Sequence, residues 1–84
     1  MDYQLTEHAR ESLRKRSSIR VEWVERVLLQ PDRVEPDRTD SELEHRMSRI
    51  QESEGRVLRV IVKKTSNPIR VITCYFDRKM GRQL

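Results

Sequence analysis

Apolar residues recur at helical spacing in the first third of the chain and predict two short helices. The first covers residues 7–16 after the N-cap Thr6, and the stacked side chains of Ala9 and Leu13 form its buried stripe. The second covers residues 21–29 and ends before a proline, which cannot continue a helix. Each helix is therefore expected to cover part of a sheet.

Alternation of apolar and polar residues in the second half predicts an antiparallel meander of three strands, at residues 43–50, 56–65 and 69–76. Tyr3–Leu5 adds a short leading strand, and the acidic, turn-rich segment 30–42 connects the helices to the meander. This order indicates an α+β fold in which two N-terminal helices pack on one face of a small antiparallel sheet. The other face is left for solvent, a partner or a site.

The length of the chain limits it to one small domain over residues 1–84. Its end, residues 77–84, is a basic tail that is predicted to be frayed or to form a short turn. No apolar stretch approaches the roughly 20 residues of a membrane span. The single cysteine, Cys74, has no partner for an intramolecular disulfide, and the cytoplasm is the expected compartment.

Charge is distributed unevenly around the net value of +4. Residues 1–42 hold eight basic and ten acidic side chains, whereas residues 43–84 hold ten basic and four acidic ones. Fourteen of the eighteen cations are arginine, which suits bidentate contact with phosphate. This composition favours a polyanion such as a nucleic acid over a membrane surface. A basic surface without a ligand is the alternative.

His8 is the first candidate for chemistry because it lies near the start of the first helix. The positive end of the helix dipole disfavours imidazolium at that position and favours a neutral ring that can accept a proton. A general base needs this property. The alternative is an ordinary half-exposed polar residue.

A second candidate group lies on the last two strands. Arg59 and Arg70 on neighbouring strands can converge on one phosphate, and the Tyr75 hydroxyl can orient a sugar or relay a proton. Arg70 and Tyr75 differ in strand parity, so the three share a face only if a bulge or bend intervenes. The alternative is a set of sheet-edge cations that suppress aggregation.

The remaining polar residues suggest a groove and give little support to a metal site. A basic groove is expected to use the first strand of the meander and the tail, through His45, Arg46, Arg49, Arg78, Lys79 and Arg82. The sequence has no zinc-ligand spacing, no calcium-loop pattern and no glycine-rich phosphate loop. Neither a metal nor a cofactor is expected.

Three segments in order resemble the small bacterial domain-of-unknown-function family 4258: LTEHARESLRKRSSI, VEWVERVLLQPDRVEPD and VLRVIVKKTSNPIRVITCYF. The resemblance extends from Tyr3 to Phe76, and the family is similar to the RelE/ParE-like toxins. It implies a compact α+β fold, a metal-independent ribonuclease and a toxin that is neutralised by an antitoxin encoded alongside. Ser17 and Ser18 stand where many relatives have one small residue, which leaves the angle between the helices open.

The mechanism that the resemblance implies is cleavage of RNA by its own 2′-OH, with His8, Arg59 and Tyr75 as catalytic residues. The expected substrate-binding residues are Arg10, Arg16, Arg46, Arg70, Thr73 and Arg78. Two alternatives stay open: a non-catalytic module of this fold that binds nucleic acid or protein, and a ParE-like inhibitor of a protein target such as gyrase. The sequence also leaves open whether the RNA is ribosome-associated and whether the chain forms a homodimer.

Overall fold

The computed structural model describes residues 2–16 and 18–84. Ser17, one of the two serines at which the sequence differs from the family pattern, therefore lies outside the described residues. Helices and strands follow one another in a simple order along these residues. The elements are β1 (Tyr3–Leu5), α1 (Glu7–Lys15), α2 (Val21–Leu29), β2 (Arg33–Pro36), β3 (Leu43–Ile50), β4 (Arg56–Lys63) and β5 (Ile69–Phe76), with 3-10 turns at Gln51–Ser53 and Met80–Arg82.

The strands form one mixed sheet in the order β1-β5-β4-β3-β2. The meander β3-β4-β5 is antiparallel, as predicted, whereas β1 pairs in parallel with β5. The expectation of a wholly antiparallel sheet is therefore wrong at this edge. A parallel pair needs a long crossover connection, and here the two helices and three intervening strands supply it.

Strand β2 corrects the prediction that residues 30–42 form only a connection. It pairs antiparallel with β3 and is the outer strand of the sheet. Pro36 lies at its end and pairs in register with Glu44. Proline cannot donate to a strand ladder but is tolerated on an edge strand. The prolines that mark this segment as a turn in the sequence are therefore compatible with a short edge strand.

The two helices cover one face of the sheet, as predicted. Thr6 caps α1 by accepting a hydrogen bond from the Ala9 N–H at 3.1 Å. Ala9, Val24 and Val27 are fully buried and form one core with Leu58 and its neighbours on the sheet. Among the described residues, no helix has the length and apolar content needed to cross a bilayer.

The basic tail forms a short 3-10 turn and packs on the sheet. Met80 is only 7% exposed, and it contacts Met47 and Val57 together with the partly buried Leu84. Val57 precedes Leu58 on β4, so the tail lies on the side of the sheet opposite the helices. We call this side, which carries Met47, Val57 and Arg59, the open face.

Candidate active site

A β-bulge in β5 brings the predicted polar residues of the last two strands to one face. The register of β4 against β5 shifts by one residue at Ile72. On one side of the shift Arg59 pairs with Tyr75, and on the other side Lys63 pairs with Arg70. Directly paired residues point to the same face of a sheet. Arg70 and Tyr75 therefore both lie on the open face. Regular alternation along β5 would have put them on opposite faces, and the bulge between them removes that difference.

Four half-buried polar side chains form a continuous hydrogen-bonded row on the open face, which we call the polar row. His45 Nε2 lies 2.7 Å from Asp37 Oδ1, and His45 Nδ1 lies 2.6 Å from Arg59 Nη1. Arg59 Nε in turn lies 2.8 Å from Asp77 Oδ2. The four side chains are between 12% and 20% exposed, so the row is shielded from water without being sealed.

The hydrogen bonds of the polar row fix the tautomer of His45. A guanidinium can only donate, so Arg59 donates to the Nδ1 lone pair. Nε2 then carries the proton and donates it to Asp37. The ring is therefore neutral in this arrangement, and its basic nitrogen is the one that meets Arg59.

Both carboxylates of the polar row are held by backbone amides next to a strand end. Asp37 follows β2, and its Oδ2 accepts from the N–H groups of Thr39 at 3.2 Å and Asp40 at 3.0 Å. Asp77 follows β5, and its Oδ1 accepts from the Met80 N–H at 3.0 Å, at the start of the tail turn. An aspartate at the beginning of a turn makes this type of bond readily. Each turn thus leaves a carboxylate oxygen free to face the row.

These bonds lower the pKa of both carboxyl groups. The hydrogen bond from His45, followed by the amide bonds from Asp40 and Thr39, lowers the pKa of Asp37 to about 2. The Met80 amide, followed by Arg59, lowers the pKa of Asp77. Hydrogen bonds to the ionised form favour that form. Both groups are therefore ionised around neutral pH.

Arg59 keeps unused hydrogen-bonding capacity toward an adjoining cavity. A guanidinium has five N–H donors, and Asp77 and His45 take two of them, so three remain. A cavity of about 270 Å³ lies beside Arg59 and is also lined by Glu35, Asp37 and His45. Within the described ranges the Tyr75 hydroxyl, next to Arg59 in register, makes no hydrogen bond. An anion in this cavity can therefore bind the free N–H groups of Arg59 while Asp77 holds the guanidinium at Nε.

Residues 5–76 match the family model described as "Domain of unknown function (DUF4258)". The chain belongs to this family. The predicted membership is thereby confirmed over most of the chain. Comparison of this DUF4258 domain with curated proteins and with solved structures gives no significant match.

Three predicted site residues of the DUF4258 domain lie away from the polar row. His8 and Arg10 are exposed on α1, and Arg16 is exposed at its end. Helix α1 packs on the helix-covered side of the sheet through Ala9. No side-chain hydrogen bond of the described chain joins any of the three to Arg59 or Tyr75. Their roles stay predictions.

The other predicted substrate-binding residues divide between the two faces. Arg46 donates to the Leu28 carbonyl at 2.9 Å, so it faces the helices and closes the end of α2. The Thr73 hydroxyl lies 3.3 Å from that of Ser12 on α1. Arg70 and Arg78 are exposed, and neither is joined to Arg59. Arg59, Tyr75 and Arg70 thus lie on the open face without a hydrogen bond between Arg70 and Arg59, and Arg46 lies on the helix-covered face.

Three members of the polar row are not among the predicted catalytic residues. In the sequence, Asp37 and Asp77 lie in the predicted connection and tail, and His45 is predicted only as part of a basic groove. The length of the five-residue loop between β3 and β4 could have predicted that His45 lies near Arg59, because a hairpin loop of fixed length sets the register of its two strands. That register pairs His45 with Ile61 and Met47 with Arg59, which makes His45 and Arg59 diagonal neighbours. No sequence signal places Asp37 there.

Proposed function

We propose that this DUF4258 domain is a metal-independent ribonuclease that cleaves RNA by attack of its own 2′-OH on the adjacent phosphate. The polar row carries the proposal, because it places a fixed cation and an oriented imidazole beside a cavity. Tyr75 lies in register with the cation. A base, a cation and an acid are the groups that this reaction needs.

Arg59 is the proposed binding group for the scissile phosphate. Asp77 fixes its Nε while three N–H donors remain, so the guanidinium can hold two phosphate oxygens while it stays bound to Asp77. Negative charge grows on these oxygens as the attacking 2′-oxygen adds to phosphorus. A preorganised cation stabilises that charge more than the charge of the ground state.

His45 is the proposed general base. A phosphate that draws Arg59 Nη1 toward itself releases the Nδ1 lone pair, which then accepts the proton of the 2′-OH. Asp37 holds the Nε2–H and stabilises the imidazolium that forms, as a carboxylate does in other acid–base pairs. We assign this role to His45 over His8 because His45 is joined to Arg59 directly.

Tyr75 is the proposed general acid. In the balanced step the O2′–P bond forms and the P–O5′ bond breaks. The 2′-OH proton ends on His45, and the Tyr75 proton ends on the leaving 5′-oxygen. The products are a 2′,3′-cyclic phosphate and a 5′-hydroxyl, and proton exchange with water restores both residues.

The biological role that we propose is that of a toxin held in check by a cognate antitoxin. Two observations support it: the sequence resemblance to RelE/ParE-like toxins, and an excess of basic side chains in the half of the chain that contributes most of the polar row. Expression with and without a neighbouring antitoxin gene tests the role. Growth arrest should require both a missing antitoxin and an intact His45.

The activity is tested with purified protein and labelled RNA in the presence of EDTA, followed by identification of the RNA ends. Cleavage should give cyclic phosphate ends. His45→Ala should lower the rate by about 10²–10⁴-fold, because positioned proton transfer contributes that much. His8→Ala is the matched control and should leave the rate unchanged. Intact RNA with wild-type protein contradicts the proposal, and a larger loss in His8→Ala returns the base role to His8.

A non-catalytic RNA-binding module is the second candidate, and one observation favours it. Both ring nitrogens of His45 are engaged, and Asp77 neutralises Arg59, as in a rigid structural network. In that case RNA binds without products, and His45→Ala lowers the stability of the protein without changing any rate. The same assay separates the two candidates.

A further inference from the structure

A second cavity lies where the tail meets the end of the sheet, and arginine dominates its walls. It has a volume of about 420 Å³ and is lined by Arg49, Arg56, Arg78 and Arg82, together with Phe76 and Asp77. We call it the tail cavity. Arg49, Arg78 and Arg82 belong to the basic groove predicted from the sequence, whereas Arg56 does not. Glu54 also borders the cavity and is exposed.

Among the described residues, no side-chain carboxylate forms an ion pair with the four arginines of the tail cavity. Within the described part of the chain, the ion pairs of lysine and arginine engage other cations, which are Arg14, Lys15, Arg26, Arg33, Arg46 and Arg59. The carboxylate of Asp77, which lines the cavity, is already bound by Arg59 and by the Met80 amide. Arg56, Arg78 and Arg82 therefore reach the cavity without an ion-pair partner in the described chain, and the basic side chains outnumber the two acidic ones, Glu54 and Asp77.

Arg56 is preorganised for an anion. Its guanidinium lies 4.0 Å from the centroid of the Phe76 ring, and its Nε and Nη2 donate to the Ser53 hydroxyl at 3.1 and 2.6 Å. Ser53 is a neutral acceptor, so the charge of Arg56 is held in place without being cancelled. A planar guanidinium fixed on a ring loses little freedom when it binds phosphate.

Arg49 also lines the tail cavity, but its guanidinium is bound to backbone carbonyl groups. Its Nη1 donates to the Gly55 carbonyl, and its Nη2 donates to the carbonyls of Gly81 and Leu84. These bonds hold the tail against the β3–β4 turn. Arg78 and Arg82, on the exposed side of the cavity, make no side-chain hydrogen bond in the described residues. Arg49 therefore shapes the cavity, while Arg78 and Arg82 remain available for a ligand.

The tail cavity adjoins the proposed reaction centre. Asp77 lines the cavity and also binds Arg59, so a single side chain separates the two sites. We infer that the tail cavity binds a backbone phosphate of the RNA strand that flanks the scissile phosphate, through Arg56, Arg78 and Arg82. The RNA chemistry rests on the proposed function, whereas the phosphate contact is independent of cleavage.

The tail cavity is expected to recognise phosphate and not base. The Phe76 ring is covered by Arg56 on one side and packs against Trp23 with a centroid distance of 6.5 Å, so it offers no stacking surface to a base. Phosphate contacts position a strand without reading its sequence. Oligomers of different sequence should therefore depend on the tail cavity equally.

The inference is tested by fluorescence anisotropy with a short labelled 2′-O-methyl RNA, which lacks the nucleophile and cannot be cleaved. The double variant Arg78→Ala/Arg82→Ala should weaken binding by about tenfold or more, as expected when charge-assisted hydrogen bonds are removed. The slope of log K against log salt should also become shallower by about 0.7 for each phosphate that the variant no longer neutralises. Arg56→Lys should weaken binding less, because it keeps the charge and loses the planar fork.

The matched control is Arg14→Ala/Lys15→Ala, which removes two exposed cations from α1. Weakening confined to the tail variant, and equal for oligo-A and oligo-U, supports the inference. Equal weakening in both double variants, no weakening in the tail variant, or no binding by wild type overturns it. Circular dichroism checks that both variants are folded.

The outcomes separate this inference from the proposed function. Tail-dependent binding of 2′-O-methyl RNA, with natural RNA left intact, preserves the phosphate site and removes the ribonuclease proposal. Cleavage that depends on His45 but is insensitive to Arg78→Ala/Arg82→Ala preserves the ribonuclease and removes the phosphate site.

Discussion

The two faces of the sheet each hold an arginine in a similar setting. Arg46 and Arg59 are 19% and 12% exposed, and each pairs with one carboxylate, at 2.9 and 2.8 Å. They differ in the second acceptor. Arg46 donates to the end of α2 through the Leu28 carbonyl, whereas Arg59 donates to an imidazole and borders a cavity. An arginine–carboxylate pair of the same kind thus satisfies the end of a helix on one face and forms part of a candidate site on the other.

Replacing each of these two arginines by alanine should give the largest difference between the two faces of the sheet. Arg59→Ala should lower RNA cleavage by about 10²–10³-fold, as expected for the loss of one group that stabilises transition-state charge. Arg46→Ala should leave the cleavage rate unchanged and lower the free energy of unfolding by about 1.5 kcal/mol, because it leaves a helix end and Glu44 without their donor. Single-turnover cleavage and urea unfolding measure the two effects. Equal losses of activity would show that the faces are not functionally distinct.

Truncations in the two apolar clusters should give the next largest effect. Leu58 is fully buried in the main core on the helix-covered side of the sheet, whereas Met47 is fully buried in the small cluster with Val57 and Met80. Leu58→Ala should cost about 3–5 kcal/mol, in the upper part of the range for buried aliphatic residues. Met47→Ala should cost about 2 kcal/mol, because the tail can settle into the vacated space. Urea unfolding compares them, and a larger loss in Met47→Ala would make the open face the principal core.

Low pH should lower the free energy of unfolding, because protonation of Asp37 weakens its bonds on the open face. Its pKa is lowered to about 2 in the folded chain, against about 3.9 in an unfolded one. A lowered folded-state pKa gives stability that is present above the unfolded value and is lost as pH falls through the folded value. The loss should therefore occur between about pH 4 and about pH 2.

Asp37→Asn should flatten this part of the stability profile, measured as urea midpoints against pH. Asp2→Asn, an exposed position, is the control and should keep the wild-type profile. An unchanged profile in Asp37→Asn would mean that the Asp37–His45 bond does not contribute to folding.

The smallest expected effect concerns the edge where α1 meets the bulge. Thr6 accepts from the Ala9 N–H and donates to the Ile72 carbonyl at 3.0 Å. Thr6→Ala should lower the free energy of unfolding by about 1 kcal/mol, as for other N-caps. Thr6→Ser keeps both bonds and should lose less. If the two variants lose the same amount, the methyl group and not the hydroxyl stabilises this edge.

Local sequence patterns predict most of the helices and strands, but they predict only some of the residues that form the candidate site. Helix α2 and strands β3 and β5 lie within the predicted bounds, because each has a regular apolar period and a clear stop. Strand β2 escapes prediction because an edge strand of four residues buries little and so leaves little periodicity. The candidate site is predicted in part: the sequence points to Arg59 and Tyr75 and not to their partners.

The sequence alone determined the class of fold, the basic second half, the Thr6 cap of the first helix and the three strands of the meander, since each of these depends on residues near one another in the chain. It also specified that Arg70 and Tyr75 need a bulge in order to share a face. Tertiary structure decided where the bulge lies, that β1 joins β5 in parallel, and that the tail packs on the open face. It alone brought Asp37, His45, Arg59 and Asp77 together, because hydrogen bonds between residues 8 to 18 positions apart depend on strand register and turn geometry.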